Sequence, residues 1–235
     1  MNDFVTNGYG ITSNMIPGVD FENMNDNQPT PYGPIAMIGA GTGLGFGYLI
    51  KTVNSKYYYV FPSEGGHQDF APQNEKEWRF YQYLKNHYNI DHVSVERACS
   101  GPAIPLMFLF HSEVENMESQ LFLTKEEKEK LTPEDVIRYG LSKQCRICEA
   151  TIEFFIEIYG ASAGNMSLLL IPTGGIYLLG GISVALAEYI IKSETFRVKF
   201  IIFYFFLETL QRKGKNGASS SKYSFVFSQE FFNWS

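Results

Sequence analysis

Apolar residues along this chain come in short runs broken by glycine, proline and asparagine, not in one sustained period. Residues 1–33 are polar and rich in asparagine, glycine and proline. They predict a short helix and then a loop ending at Pro29-Thr30-Pro31-Tyr32-Gly33-Pro34. Ile35-Ala36-Met37-Ile38 predicts a short strand that runs into Gly39–Gly45. Phe46 to Val53 and Lys56 to Phe61, on either side of Asn54-Ser55, predict a β-hairpin. The spacing predicts a helix over 74–88, with Asn74 as cap and Glu77 three residues on. Trp78, Tyr81, Leu84 and Tyr88 would share its face.

A further helix should follow Gly101-Pro102, with Pro105 in its first turn, where a missing N–H matters least. The charge-rich stretch 113–131 predicts a solvated loop with a partial helix. Thr132-Pro133-Glu134-Asp135 is a strong helix start: a cap, a first-position proline and an acidic first turn. A longer helix is predicted from Ser142 to Tyr159, with Cys148, Ile152, Phe155, Ile156 and Tyr159 along one side, and Gly160 to Gly164 should break it. Gly174-Gly175-Ile176-Tyr177-Leu178-Leu179-Gly180-Gly181 predicts a buried strand between glycine pairs, followed by a helix over Ser183–Lys192. Lys213–Ser235 has no clean period and is expected to be poorly ordered. Strands alternating with helices make this an α/β chain.

Composition narrows the function classes. At 235 residues and 45% hydrophobic, the chain can build one large domain or two unequal ones. Only 19% of residues are charged, which excludes the disordered class. A net charge of -6 leaves no basic footprint for nucleic acid, so an anionic ligand must be held by local dipoles or a metal. The apolar run Phe200–Leu207 is far short of the ~20 residues that span a bilayer. It reads as a core segment or a misplaced insertion, and no membrane role is expected. Met1-Asn2-Asp3 lacks the charged and apolar regions of a signal peptide. The three cysteines, Cys99, Cys145 and Cys148, fit thiols in a reducing compartment. Cys145 and Cys148 have CxxC spacing, but no second ligand pair completes a zinc site, so they read as half-buried helix thiols first and as a redox or metal site second.

Two polar runs carry the candidate chemistry: Ser63-Glu64-Gly65-Gly66-His67-Gln68-Asp69-Phe70 and Ser94-Val95-Glu96-Arg97. With Asn2-Asp3-Phe4 they supply Asn, Asp, Glu, His and Glu, a set able to hydrogen-bond every hydroxyl of a small polyol. A buried hydroxyl left unpaired costs ~1–3 kcal/mol, so a sugar site needs that many partners. The runs point to a hexose-handling protein. Each residue also has a plainer reading. Asp3 could cap a helix, His67 could be a satisfied turn histidine, and Glu96 could sit in a helical first turn favoured by the dipole. His87, His92 and His111 read as structural. Gly39–Gly45 offers backbone N–H groups to phosphate oxygens, or else is a tight hairpin turn needing positive φ. It is not a Walker loop, since no Lys-Ser or Lys-Thr follows, and Leu44 breaks the dinucleotide fingerprint. Gly174–Gly181 has the same two readings.

Five blocks in this order resemble bacterial-type glucokinases. They are Asn2-Asp3-Phe4, the Gly39–Gly45 loop, the run from Pro62 to Pro72, His92–Arg97 with Ser100-Gly101-Pro102, and Gly174–Gly181. The resemblance covers about residues 1–195. It implies the actin-like ATPase (ribonuclease H-like) fold, with two α/β domains that close over glucose and MgATP, and an enzyme that makes glucose 6-phosphate. It further implies that Asp3 is the catalytic base on the 6-hydroxyl, that Asn2 lies beside it on the sugar, and that Glu64, His67 and Glu96 hold the remaining hydroxyls. Gly41, Thr42 and Gly43 would sit on the ATP phosphate side, and Gly174, Gly175, Gly180 and Gly181 would approach the nucleotide. ATP and Mg²⁺ are the implied cofactors, with no protein metal site. A cytoplasmic location and, as an assembly, a homodimer are consistent with the resemblance.

The chain departs from the family pattern at both ends. No Asp-x-Gly-Gly-Thr motif occurs, and Lys199 onward does not match. The expected organisation is a remnant of the small domain over 1–33, a large sugar- and nucleotide-binding domain over 34–198, and a divergent segment over 199–235. A chain lacking the first phosphate motif lacks part of its charge-stabilising cradle. The competing expectation is therefore a non-catalytic glucose-binding or regulatory protein on the same scaffold.

Overall fold

In a computed structural model the chain is an α/β protein with one mixed, six-stranded sheet. The structure describes residues 3–12, 21–23, 29–52, 54–117, 123–197, 199 and 225–228. Asn2, the Phe200–Leu207 run and the C-terminal tail apart from strand Phe225–Ser228 lie outside the described residues. The described chain divides into two compact units. One comprises Met1–Ala40, Gly45–Gly65 and Gly160–Ser235, and the other Gly41–Leu44 and Gly66–Tyr159.

The first unit holds the sheet. Its strands are β1 (Phe21–Asn23), β2 (Ile35–Ala40), β3 (Leu44–Ile50), β4 (Tyr59–Ser63), β5 (Ile176–Leu179) and β6 (Phe225–Ser228), in the order β1-β6-β5-β2-β3-β4. β2 pairs in parallel with β5, Ala36 opposite Ile176 and Gly39 opposite Leu179. Every residue of β2 is buried, as expected of a strand covered on both faces. The predicted hairpin forms from β3 and β4, with Phe46 opposite Ser63. Helix α1 (Asp3–Thr12) joins a cluster of Ile11, Ile35, Met37, Leu49 and Leu179. Gly8 lets the helix approach closely, since a Cβ there would run into the Val60 side chain.

The second unit is helical. It contains α2 (Glu75–Tyr88), α3 (Val95–Ala98), α4 (Ala103–Glu113), α5 (Lys125–Glu129) and α6 (Pro133–Leu141). Asn74 caps α2 by accepting from the Glu77 backbone N–H, as its spacing predicts. Thr132 and Asp135 form a capping box at α6. The buried face of α2 is not the predicted one. Glu77, Phe80 and Leu84 point inward, while Trp78 is half exposed and stacks on Tyr81 at 5.3 Å. The face rotates because the Glu77 carboxylate is drawn in to accept from the Gln73 backbone N–H and the Asn74 amide, tying the incoming loop to the helix. Phe80 then packs on Phe110 and Phe154, ring centroids 5.2 and 5.3 Å away.

Helix α7 (Arg146–Leu170) overruns the predicted stop at Gly160–Gly164 by a decade of residues. Burial overrides propensity here: residues 158–164 are all buried. Phe196 packs on the Gly160 backbone so closely that a Cβ would stand 3.2 Å from its ring. The predicted Ser183–Lys192 helix is two short ones, α8 (Gly181–Ala185) and α9 (Ala187–Lys192), meeting at Leu186. No helix among the described residues is long and apolar enough to cross a membrane.

Candidate functional site

Of the predicted residues, the second unit holds Gly41, Thr42, Gly43, His67 and Glu96, and it adds Leu44 and Gly66 beside them. Ser94 caps α3 by accepting from the Arg97 N–H, which places Glu96 in the first turn of that helix. The Glu96 side chain spans 52 residues of sequence to accept, through Oε2, the backbone N–H of Leu44 at 2.9 Å. Its other oxygen, Oε1, faces His67 Nδ1 at 3.9 Å, and both side chains keep solvent access, at 31% for Glu96 and 63% for His67. A carboxylate with one oxygen tied to backbone and the other turned outward is oriented, yet it retains acceptor capacity for hydroxyls.

Two glycines make room here, Gly43 for the carboxylate and Gly66 for the turn that it holds. A Cβ on Gly43 would stand 2.5 Å from Glu96 Oε2, and one on Gly66 would run into the Leu44 carbonyl oxygen. Gly41 is different, because among the described residues, its chain neighbours apart, nothing lies within 4 Å of where its Cβ would be. Its carbonyl accepts from Gly101 N–H at 2.7 Å and its N–H donates to Gly43 C=O at 2.9 Å. Thr42 is exposed at the tip.

A short antiparallel ladder aligns the two polar runs. Phe70 N–H donates to Val93 C=O and Val95 N–H to Gln68 C=O, each at 2.9 Å, on either side of the bridge between Asp69 and Ser94. His92 Nε2 meets Asp69 Oδ1 at 2.9 Å on the exposed side of this ladder. The sequence reading singled out neither Leu44 as a backbone donor nor Asp69 as the partner of His92. The two glycines facing Glu96 were the available signal for the first, and nothing in the spacing signalled the second.

The other predicted residues lie in the first unit. Asp3 opens α1, and only its backbone is described, while Asn2 lies outside the described residues. Glu64 follows β4 directly and is exposed. The four glycines around β5 split into two pairs. Gly174 and Gly175 precede the strand and Gly180 and Gly181 follow it, so about 13 Å of strand separates the pairs. Gly174 N–H donates to Pro34 C=O at 2.8 Å, and a Cβ on it would run into the Gly33 carbonyl oxygen. Gly180 has φ +87°, and a Cβ on it would run into the Ala40 carbonyl oxygen. Gly174 is therefore consumed by backbone crossing, and one phosphate group cannot reach both pairs.

The buried titratable groups lie apart from this cluster. Burial, with Lys76 nearby, pushes His111 down to about 3, and its Nδ1 pairs with Thr151 Oγ1 at 3.2 Å. Burial raises the Cys99 thiol. No group of three or more His, Cys, Asp or Glu side chains among the described residues is arranged to hold a metal ion.

Comparison with known proteins adds the family. A family model described as glucokinase matches residues 1–202. The chain is similar to the glucokinase of Nostoc punctiforme, 41% identical over 194 residues, covering 78% of this chain and 56% of that protein. It is also similar to the glucokinase of Yersinia pestis, 34% identical over 200 residues, covering 85% of this chain and 57% of that protein. The chain thus spans less than two thirds of the length of these relatives. Among solved structures, a glucokinase from an Antarctic psychrotroph superposes with a TM-score of 0.73 at 22% identity, over 96% of this chain and 63% of that one. A Balamuthia mandrillaris glucokinase in complex with glucose superposes with a TM-score of 0.75 at 16% identity, over 97% and 60%. The fold is the actin-like ATPase fold that the sequence resemblance implied.

Proposed function

Because this chain belongs to the glucokinase family, we propose that its residues serve the ATP-dependent phosphorylation of D-glucose to glucose 6-phosphate. The observation that carries the reading is the Glu96 carboxylate, fixed on Leu44 N–H and facing His67, with both side chains open to a polyol. In this reading Glu96 accepts two sugar hydroxyl protons, His67 pairs a further hydroxyl, and Glu64 and Asn2 complete the set. Asp3 takes the proton of the 6-hydroxyl as that oxygen attacks the transferred phosphoryl group. The small-domain assignment of 1–33 and the large-domain assignment of 34–198 belong to the same proposal.

The turn at Gly41-Thr42 fits a nucleotide phosphate, since the space above Gly41 is open and Thr42 is exposed. Gly43 contributes differently, by admitting Glu96. Mg²⁺ bound with ATP would neutralise charge on the phosphates. The pair Gly180-Gly181 follows β5 at the end of the sheet where β2 reaches Ala40, which suits a nucleotide contact better than Gly174-Gly175 does. A cytoplasmic location and a homodimer belong to the proposal as well.

The test is calorimetric titration of the chain with glucose, together with a coupled assay for ADP release. Saturable glucose binding that Glu96→Gln weakens by about tenfold or more is expected, as is glucose-dependent ADP release that Asp3→Ala removes without loss of sugar binding. Absence of saturable glucose binding by the folded chain would sink the reading.

A further inference from the structure

The thiols of Cys145 and Cys148 take no part in the sugar site, and their placement gives them a chemistry of their own. Cys145 immediately precedes α7, and its carbonyl accepts the Glu149 N–H at 3.0 Å, so it occupies the cap position with Cys148 three residues into the helix. Residues at those two positions lie on one face, with Cα atoms about 5 Å apart on helix geometry. That is inside the ~4.4–6.8 Å range that a disulfide spans without moving the backbone. The side chains already meet, since the Cys148 thiol hydrogen-bonds with the Cys145 thiol. Both are thiols here, and both are buried.

Both thiols are fully buried, while the residues that flank Cys145 in sequence are exposed. Leu141, Ser142, Lys143 and Gln144 are all exposed, and so is Arg146 just beyond Cys145. Lys143 holds φ 56° at the turn that leads into the helix. Exchange at Cys145 requires local opening where this turn leads into the helix. Lys143 and Arg146 flank Cys145 in sequence and are exposed, which favours an anionic reactant, while the hydrogen bond with Cys145 and burial push the Cys148 thiol up.

We propose that Cys145 and Cys148 are a reversible dithiol–disulfide site that reacts with anionic low-molecular-weight disulfides of the glutathione type. Deprotonated Cys145 attacks one sulfur of the disulfide. A mixed disulfide forms, the S–S bond of the reactant breaks, and one thiolate leaves and takes up a proton. Cys148, on giving its proton to solvent, attacks the Cys145 sulfur, closes the internal bridge and expels the second thiol. The two protein thiols are oxidised, one small disulfide is reduced to two thiols, and the exchange runs backward when the small thiol is in excess. The bridge ties the cap to the first turn of α7.

The test is intact-mass analysis of the full chain under native conditions after incubation with glutathione disulfide, followed by peptide mapping. The wild-type chain should lose two hydrogens, with the bridge mapped between Cys145 and Cys148, and excess reduced glutathione should restore the mass. Cys148→Ser should instead retain one glutathionyl group on Cys145, and Cys145→Ser should form no internal bridge. The proposal is overturned if the wild-type chain stays fully reduced while Cys148→Ser also takes up no glutathione. It is equally overturned if both thiols of the wild type carry separate adducts. Neither readout depends on sugar binding or phosphoryl transfer, so the outcome stands apart from that of the proposed function.

Discussion

Gly43 and Gly66 in the helical unit, and Gly174 and Gly180 in the sheet unit, look alike in sequence, yet their neighbours demand them for different reasons. Around Glu96, the absent Cβ atoms admit a carboxylate and the backbone turn that it holds. Around β5, they admit other backbone: Gly33 and Pro34 before the strand, Ala40 after it. A glycine-rich run is thus not in itself a phosphate signature, because close approach of any kind selects glycine. What separates the two regions is what the crowded backbone serves, a turn that orients a functional side chain in one and the sheet's own scaffold in the other. Substitutions that add a single methyl should therefore fail differently in the two places.

The largest effect is expected at Gly66. Alanine there would drive its Cβ into the Leu44 carbonyl oxygen, which can move only by shifting the turn that donates to Glu96. Gly66→Ala should cost about 2–4 kcal/mol in denaturant unfolding. It should also lower glucose affinity by about tenfold in the folded protein, because Glu96 loses its orientation. A variant that loses stability but keeps full affinity would uncouple the turn from the site. Gly180→Ala comes next. A φ of 87° with ψ 158° is a conformation open almost only to glycine, so alanine should cost about 1–3 kcal/mol. The folded protein should keep its glucose affinity. A selective loss of affinity would place Gly180 among the sugar-ordering residues and erase the contrast.

How much of this was legible depends on how local the cause is. The Asn74 cap with Glu77 three residues on, and the Thr132 cap with its proline and acidic first turn, are local enough to be read in the sequence, whereas the return hydrogen bond from Thr132 N–H to Asp135 is not. The hairpin of β3 and β4 and the strand between the glycine pairs were equally readable, because alternation and turn residues are local signals. The run of α7 through Gly160 was not. What keeps it helical is Phe196, thirty-six positions away, packed where a side chain would otherwise stand. The inward turn of Glu77 was hidden for a related reason, since a charged residue on a core face makes sense only once its hydrogen bonds to Gln73 and Asn74 are seen. In the site, residue identities were readable and the reason for two glycines was not, because Leu44 and Glu96 meet across 52 positions.

Acid sharpens the comparison by acting on the unit that carries Glu96. His111 in that unit is fully buried and held down to about 3 by desolvation and by Lys76, whereas in the unfolded chain a histidine titrates near 6.5. Between those values the unfolded state binds a proton that the native state refuses, so stability is complete above about pH 6.5 and falls as pH drops toward 3. The slope approaches about 1.4 kcal/mol per pH unit from this residue alone. Unfolding free energies at pH 7.0 and 5.5 should show a loss that His111→Gln reduces. An unchanged slope in that variant would assign the acid sensitivity to other groups.

The smallest stability effect is expected at Gly41, and it is the most discriminating of the set. Among the described residues, and apart from its two chain neighbours, no heavy atom lies within 4 Å of a Cβ built there, and its φ is not in the left-handed region, so Gly41→Ala should change stability by less than about 1 kcal/mol. Gly41 differs in this from Gly43 two residues on, whose neighbour is Glu96. With no protein atom demanding a glycine, the remaining physical reason for one is a ligand that approaches the backbone closely, as a phosphate oxygen does. Gly41→Ala should therefore leave glucose titration unchanged while glucose-dependent ADP release falls. If ADP release survives the methyl group intact, the phosphate side of the site must be sought elsewhere, and the turn's function reduces to presenting Leu44 N–H to Glu96.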